Sequence, residues 1–291
     1  MSMKLPEVSA DAPQCELTVL NAGFYRASLN MLHKERPRQQ IWGPALFFLI
    51  RHPKNGYFLF DTGYSTRFRE ATRLVPYRLM RLATPVRITE QEHALVQLQA
   101  MGVEPDEVTV ILSHMHVDHT GGIHDFPRSQ IIVNKVEWEF TQGRSPLRLF
   151  PHAYLSSLFN QIDPNRVRLI DFDSSSGYGP LPQAVDLLGD ESLVLVPLPG
   201  HSVGQMGLLI NHTRQGRVLL CADAVYMQDN YRDRLAGSRI SRIAHYDYSQ
   251  YLSQFALLHD LEKENSGLTI LPSHDPGVYE RYVLGKGRAG Q

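Results

Sequence analysis

The sequence is short of cysteine, of unbalanced charge and of long apolar runs, and each shortage excludes something. Among its 291 residues only Cys15 and Cys221 are cysteines, so no disulfide framework can staple the chain, and a reducing, cytoplasmic setting is expected. Lysine plus arginine (29) almost cancels aspartate plus glutamate (30), leaving a net charge of −1. No surplus of positive charge is there to neutralise phosphates, so no nucleic-acid partner is expected. The longest apolar run, Ala45 to Ile50, is stopped by Arg51. It falls far below the roughly 20 residues that span a bilayer, and no membrane partner is expected. Residues 1–14 hold Glu7 and Asp11 and no apolar leader core. No long Gly/Ser linker, charge block or repeat divides the chain, and Ser174-Ser175-Ser176-Gly177 reads as a surface loop.

What is there is ample core material: hydrophobic residues make up 43%, too many for a disordered chain. β-like segments recur at Glu16–Leu20, Ala45–Ile50, Tyr57–Phe60, Val108–Leu112 and Gln130–Val133. Leu193–Leu198, Met206–Ile210, Val218–Ala222 and Leu268–Leu271 continue the series. Asn55-Gly56 predicts a tight hairpin. Thr89 and Glu92 form a capping-box pattern ahead of an apolar stripe of Ala94, Leu95, Leu98 and Met101, with Gly102 as a stop. A later helix is predicted from Asp247, burying Tyr251, Leu252, Phe255, Leu258 and Leu261. Leu79, Met80 and Leu82 read as one side of a packing helix. The pattern is mixed α/β.

The 13 histidines are the compositional oddity, and the dense cluster is Ser113-His114-Met115-His116-Val117-Asp118-His119-Thr120-Gly121-Gly122. It follows an apolar strand, so it belongs at a strand end. In extended backbone His114 and His116 face the same side, as two ligands of one ion must. Asp118 and His119 come where the chain turns, and can face a second ion. Imidazole and carboxylate suit zinc, manganese, iron or cobalt better than oxygen-seeking ions.

This stretch resembles the HxHxDH signature of the metallo-β-lactamase superfamily. Phe60-Asp61-Thr62-Gly63, Pro199-Gly200-His201-Ser202, Cys221-Ala222-Asp223-Ala224 and Pro272-Ser273-His274-Asp275 resemble that family's other site segments, in the right order. The resemblance implies a four-layer αββα sandwich and a single domain over residues 1–291. It implies a first metal on His114, His116 and His201, a second on Asp118, His119 and His274, and Asp223 bridging both. Two divalent ions are thus expected, zinc first, with iron, manganese or cobalt as alternatives. Asp61 resembles the buried aspartate that steadies the metal loop; a plain turn residue is the other reading. Cys221 reads as a small core residue, and His124 and His152 as surface or loop histidines.

Within the superfamily the closest resemblance is to the N-acyl-homoserine-lactone lactonases, the quorum-quenching branch. Met101-Gly102-Val103-Glu104-Pro105-Asp106 and a glutamate-rich helix after Ile131-Ile132-Val133 flank the motif as they do there. Tyr226 stands three residues beyond Asp223, where those lactonases place a tyrosine on the substrate carbonyl. The implied function is metal-dependent hydrolysis of an acylated lactone or ester by a metal-bridging hydroxide, with Asp118 and Tyr226 catalytic and Asp118 carrying the proton. A glyoxalase II-like thioesterase or other esterase is the alternative, and a signal-binding protein with little turnover the third. A homodimer is left open. Some of Phe24, Trp42, Tyr64 and Phe68 are expected to line an acyl pocket, with core packing the stronger reading for Trp42, and the loop Ser174–Leu188 is a candidate to reshape its entrance.

Overall fold

A computed structural model describes residues 2–9 and 11–285. β1 (Glu16–Ser28), β2 (Gln40–His52) and β3 (Gly56–Phe60) form an antiparallel meander. β4 (Val86–Arg87) pairs with the outer edge of β1. β5 (Val108–Ile111), β6 (Ile131–Asn134) and β7 (Val167–Ile170) add parallel strands, giving a seven-stranded sheet of order 4-1-2-3-5-6-7. The second sheet, of order 12-11-10-9-8, holds β8 (Val185–Asp186), β9 (Leu193–Pro197), β10 (Met206–Thr213), β11 (Gly216–Ala222) and β12 (Leu268–Pro272).

Side-chain alternation explains how these sheets stack. Val19, Phe48, Ile50 and Phe60 of the first sheet meet Leu195, Leu208, Val218 and Leu220 of the second in one buried cluster. The opposite face of the first sheet, with Phe47, Leu49, Leu59 and Val110, is covered by Ala94, Leu98 and Trp138 from helices. The outer face of the second sheet takes Tyr251, Phe255, Leu258 and Leu261 of the helix Tyr248–Glu264. The layers are therefore helix, sheet, sheet, helix, as the resemblance implies.

All nine strands read from the sequence are present. β4, β7 and β8 escape that reading because they are two to four residues long and not continuously apolar. The hairpin after β2 differs in detail: Pro53, Lys54 and Asn55 form its loop, with only Gly56 at positive φ (+77°). His52 Nδ1 accepts the N–H groups of Lys54 and Asn55 at 3.1 and 3.0 Å, which fixes the longer loop. Glu92 accepts the Thr89 N–H at 2.7 Å but closes a 3-10 turn, and the helix proper runs Ala94–Ala100 with Met101 exposed beyond it. Asp247 caps its helix by accepting from Ser249 and Gln250, whereas Leu252 turns to solvent. Leu79 and Leu82 are exposed too, and Met80 instead faces a cavity.

Candidate metal centre and active site

The site residues all follow the carboxyl ends of parallel-running strands: Asp61 after β3, His114 after β5, His201 after β9, Asp223 after β11 and His274 after β12. Both sheets thus deliver side chains to one edge. Beyond β5 the chain bends into a short helix, Val117–Thr120, which brings Asp118 and His119 beside the strand-end histidines. Gly121 and Gly122 serve close approach rather than unusual φ: a Cβ at Gly121 would meet the Gly63 carbonyl at 2.6 Å, and one at Gly122 the Thr62 carbonyl at 2.9 Å.

The metal-ligand candidates gather into two adjoining groups, His114/His116/His201 and Asp118/His119/Asp223/His274, each with donor atoms within 4.8 Å of one another. Asp223 stands between them, with Oδ2 3.3 Å from His201 Nε2 and 3.1 Å from His274 Nε2. His116 Nδ1 and His201 Nε2 approach to 3.0 Å. The outward ring nitrogens are anchored: His119 Nδ1 by Asp61 at 2.8 Å, His274 Nδ1 by the Pro44 carbonyl at 2.8 Å. That fixes the protons on Nδ1 and turns Nε2 inward. Buried atoms His114 Nε2, His119 Nε2 and Asp223 Oδ1 have no hydrogen-bond partner here. Inward-facing, orphaned nitrogen and oxygen donors are what a pair of divalent cations requires, and the residues fit that occupant.

Electrostatics divides the two groups. Burial, reinforced by neighbouring imidazoles, holds His114 and His201 well below the usual histidine range, and burial carries His116 down to about 4. All three are therefore neutral at pH 7, with lone pairs free for a cation. Burial also opposes charge on His119, but the carboxylates of Asp61, Asp223 and Asp118 prevail and carry it up to about 10. His274 is likewise raised against its burial by Asp223. Asp118 is lowered to about 2 against its own burial, by His119 and His274. Two protonated imidazoles here partly offset the three carboxylates, a role that cations would take over as those protons leave.

Asp61 is more than a turn residue. At φ +64° and fully buried, it accepts the Ser113 N–H and hydroxyl, both at 2.8 Å, besides His119. Two supports lie outside the sequence motifs. Glu137, buried on the helix Lys135–Thr141, accepts from Met115 N (2.9 Å), Gly204 N (2.8 Å) and the Ser202 hydroxyl (3.0 Å), tying the HxH loop to the His201 loop. His245 sets its Nδ1 3.1 Å from His201 Nδ1 and stacks on Tyr251 at 3.7 Å. A helical carboxylate flanked by Val136 and Trp138 is a readable signal for Glu137; His245 has none.

A cavity of about 300 Å³ opens onto the site. Asp118, His201, Asp223, Tyr226 and His274 form its polar part; Met31, Leu32, Phe68, Met80 and Val86 form its apolar wall. Tyr226 lies with its hydroxyl 3.4 Å from His201 Nδ1, and burial keeps that phenol protonated. Tyr64 and Phe68 line the cavity as expected, but Phe24 and Trp42 do not. Phe24, turned by the β1 irregularity between Asn21 and Phe24, packs edge-on against Tyr279, and Trp42, on the same face of β2 as Leu46 and Phe48, is 40% exposed under Arg87. Ser174–Leu188 does not line the cavity either; the entrance belongs to residues 26–40, 80–86 and 241–244. Cys221 is a fully buried core residue, and His152 ends the 3-10 turn Phe150–His152, against Phe140 and Tyr246.

Two stacked mixed sheets with a histidine–aspartate centre at their shared edge define a class of α/β metallohydrolase scaffold. The chain belongs to the metallo-beta-lactamase superfamily, whose family pattern matches residues 41–274. It is 29% identical over 247 residues to an N-acyl homoserine lactonase of Azorhizobium caulinodans, covering 84% of this chain and 86% of that one. An N-acyl homoserine lactonase of Bacillus cereus is 30% identical over 199 residues, 65% of this chain and 70% of that protein. The solved structure of an N-acyl homoserine lactone hydrolase, with product N-hexanoyl-L-homoserine at its catalytic metal centre, superposes with a TM-score of 0.72. That match is 23% identical and spans 92% of this chain and 96% of the other, which establishes the shared fold.

Proposed function

We propose that this chain is a dinuclear metal-dependent hydrolase that opens the lactone ring of N-acyl homoserine lactones. The observation that carries the proposal is the pair of adjoining donor groups joined at Asp223, opening into a cavity with an apolar wall. His114, His116 and His201 would hold one ion, Asp118, His119 and His274 the other, and Asp223 both. Zinc is the proposed metal, since three neutral imidazoles beside a carboxylate-rich group suit it. Two such ions, when bound, would acidify a coordinated water and offset charge on the reacting oxygens.

The protein groups do the rest. The Tyr226 phenol, protonated and lining the cavity, donates to the lactone carbonyl oxygen as it gains charge. Asp118, partly open to the cavity, takes the proton from the attacking oxygen and delivers it to the departing ring oxygen. Met31, Leu32, Phe68, Met80 and Val86 remove the acyl chain from water. The relatives named as N-acyl homoserine lactonases support this substrate class. The test is a substrate panel on metal-replete protein: homoserine lactones of several chain lengths, thioesters, a phosphotriester and a β-lactam. Ring opening releases a proton that a pH indicator reports. Fastest turnover on the lactones is expected; preferential thioester turnover, or binding with no turnover, would contradict the reading.

A further inference from the structure

Among the described residues, seven large hydrophobic side chains are more than half exposed: Leu74, Val75, Leu79, Leu82, Leu147, Ile240 and Ile243. Four of them stand beside the cavity mouth, and Leu74 and Val75 lead into the helix that carries Leu79, with the Leu74 carbonyl accepting the Arg78 N–H at 2.8 Å. Leu79 and Leu82 alternate with Met80 and Ala83, which line the cavity, and Ile240 and Ile243 alternate with Ser241 and Ala244, which also line it. Leu147 adjoins Pro146, whose carbonyl accepts the Tyr77 hydroxyl of the Leu79 helix. Isolated exposed leucines need no explanation, but a cluster of them on the segments flanking one cavity does.

The charge around the cluster has one sign. Residues 66–84, 142–152 and 237–244 carry nine arginines and one acidic residue, Glu70, on a chain whose net charge is −1. Arg67 is paired with Asp125 at 2.7 Å and Arg242 lies over Tyr248, while Arg69, Arg73, Arg78 and Arg239 are exposed. A second copy of the chain fits this face badly, because a two-fold contact would set arginine against arginine. An anionic surface with an apolar interior fits both features at once.

We propose that the rim of the cavity docks on an anionic phospholipid bilayer, with the exposed aliphatic side chains entering the interface and the arginines meeting headgroup phosphates. This revises the expectation of no membrane partner, which rested on the lack of a spanning segment. No helix of the described residues is long and apolar enough to cross a membrane, and surface docking needs none. The docking does not depend on which substrate the cavity turns over. It would place the apolar wall where acyl chains partition.

Flotation of the metal-replete protein with phosphatidylcholine vesicles, with and without phosphatidylglycerol, tests this. Binding to the phosphatidylglycerol vesicles at low salt is expected, weakening as salt screens the arginines. The pair Ile240→Ser/Ile243→Ser, and separately Arg78→Gln/Arg239→Gln, should each lower bound protein by about tenfold or more with unfolding temperature unchanged. Absence of binding by the parent, or binding by either variant equal to the parent's, would overturn the proposal. So would concentration-dependent self-association that the isoleucine pair abolishes, since that assigns the face to a second copy.

Discussion

Tyr226 and His245 approach the same ring, His201, and do different things to it. Tyr226 touches the cavity, so Tyr226→Phe removes the proposed donor to developing charge and, at His201, only a long 3.4 Å contact, while His245 still holds that Nδ1. Turnover of a homoserine lactone should fall about tenfold to a few hundredfold, with KM and metal content little changed. Parental turnover would make the phenol a packing residue. His245 acts from behind. With His201 Nε2 turned inward, its Nδ1 carries the proton and His245 Nδ1 must accept it. His245→Phe keeps a ring against Tyr251 but loses that acceptor. Chelator competition should then show ion retention weakened by about 10- to 100-fold, while His245→Asn, whose amide oxygen can take the same proton, retains most of it. Equal retention in all three proteins would contradict this role.

At the scale of elements, the site depends on loops that close against one another. Gly200, at φ +128°, lies where a Cβ would meet Tyr251 N at 2.2 Å, at the start of the helix Tyr248–Glu264. Gly200→Ala must push that helix start off the His201 loop. A loss of about 3 kcal/mol is expected in denaturant unfolding, with lowered metal retention, and an unchanged midpoint would show that the loop yields cheaply. The apolar strands and the HxHxDH stretch were legible in the sequence because burial on both faces and a run of ligand-type residues leave local signatures. Leu252 and Leu79 were misread because a stripe of leucines shows that a helix has an apolar face, not whether a neighbour covers it. Which of the four aromatics would reach the cavity was not legible: a bulge in β1 turns Phe24 without changing the hydrophobic pattern. His245 stayed invisible, since its meaning arises only when residues 245–247 run beside Gly200 and His201.

For the whole molecule, the site binds the two halves together. His114 and His119 come from the first sheet's edge, His201, Asp223 and His274 from the second, and the cluster between the sheets joins Phe48 and Phe60 to Leu208 and Leu220. We propose that the chain folds as one domain, so urea should unfold it in a single transition that added zinc moves upward. Two separated transitions would contradict that. The central claim is that two ions joined at Asp223 open a lactone ring. Its most direct test is proton release from N-hexanoyl homoserine lactone by metal-replete protein beside its Asp223→Ala variant, with metal counted in both. The parent should bind two ions per chain and turn over the lactone, and the variant should hold less metal and show no rate above background. No ring opening by the parent, or parental rate and metal content in Asp223→Ala, would contradict the account.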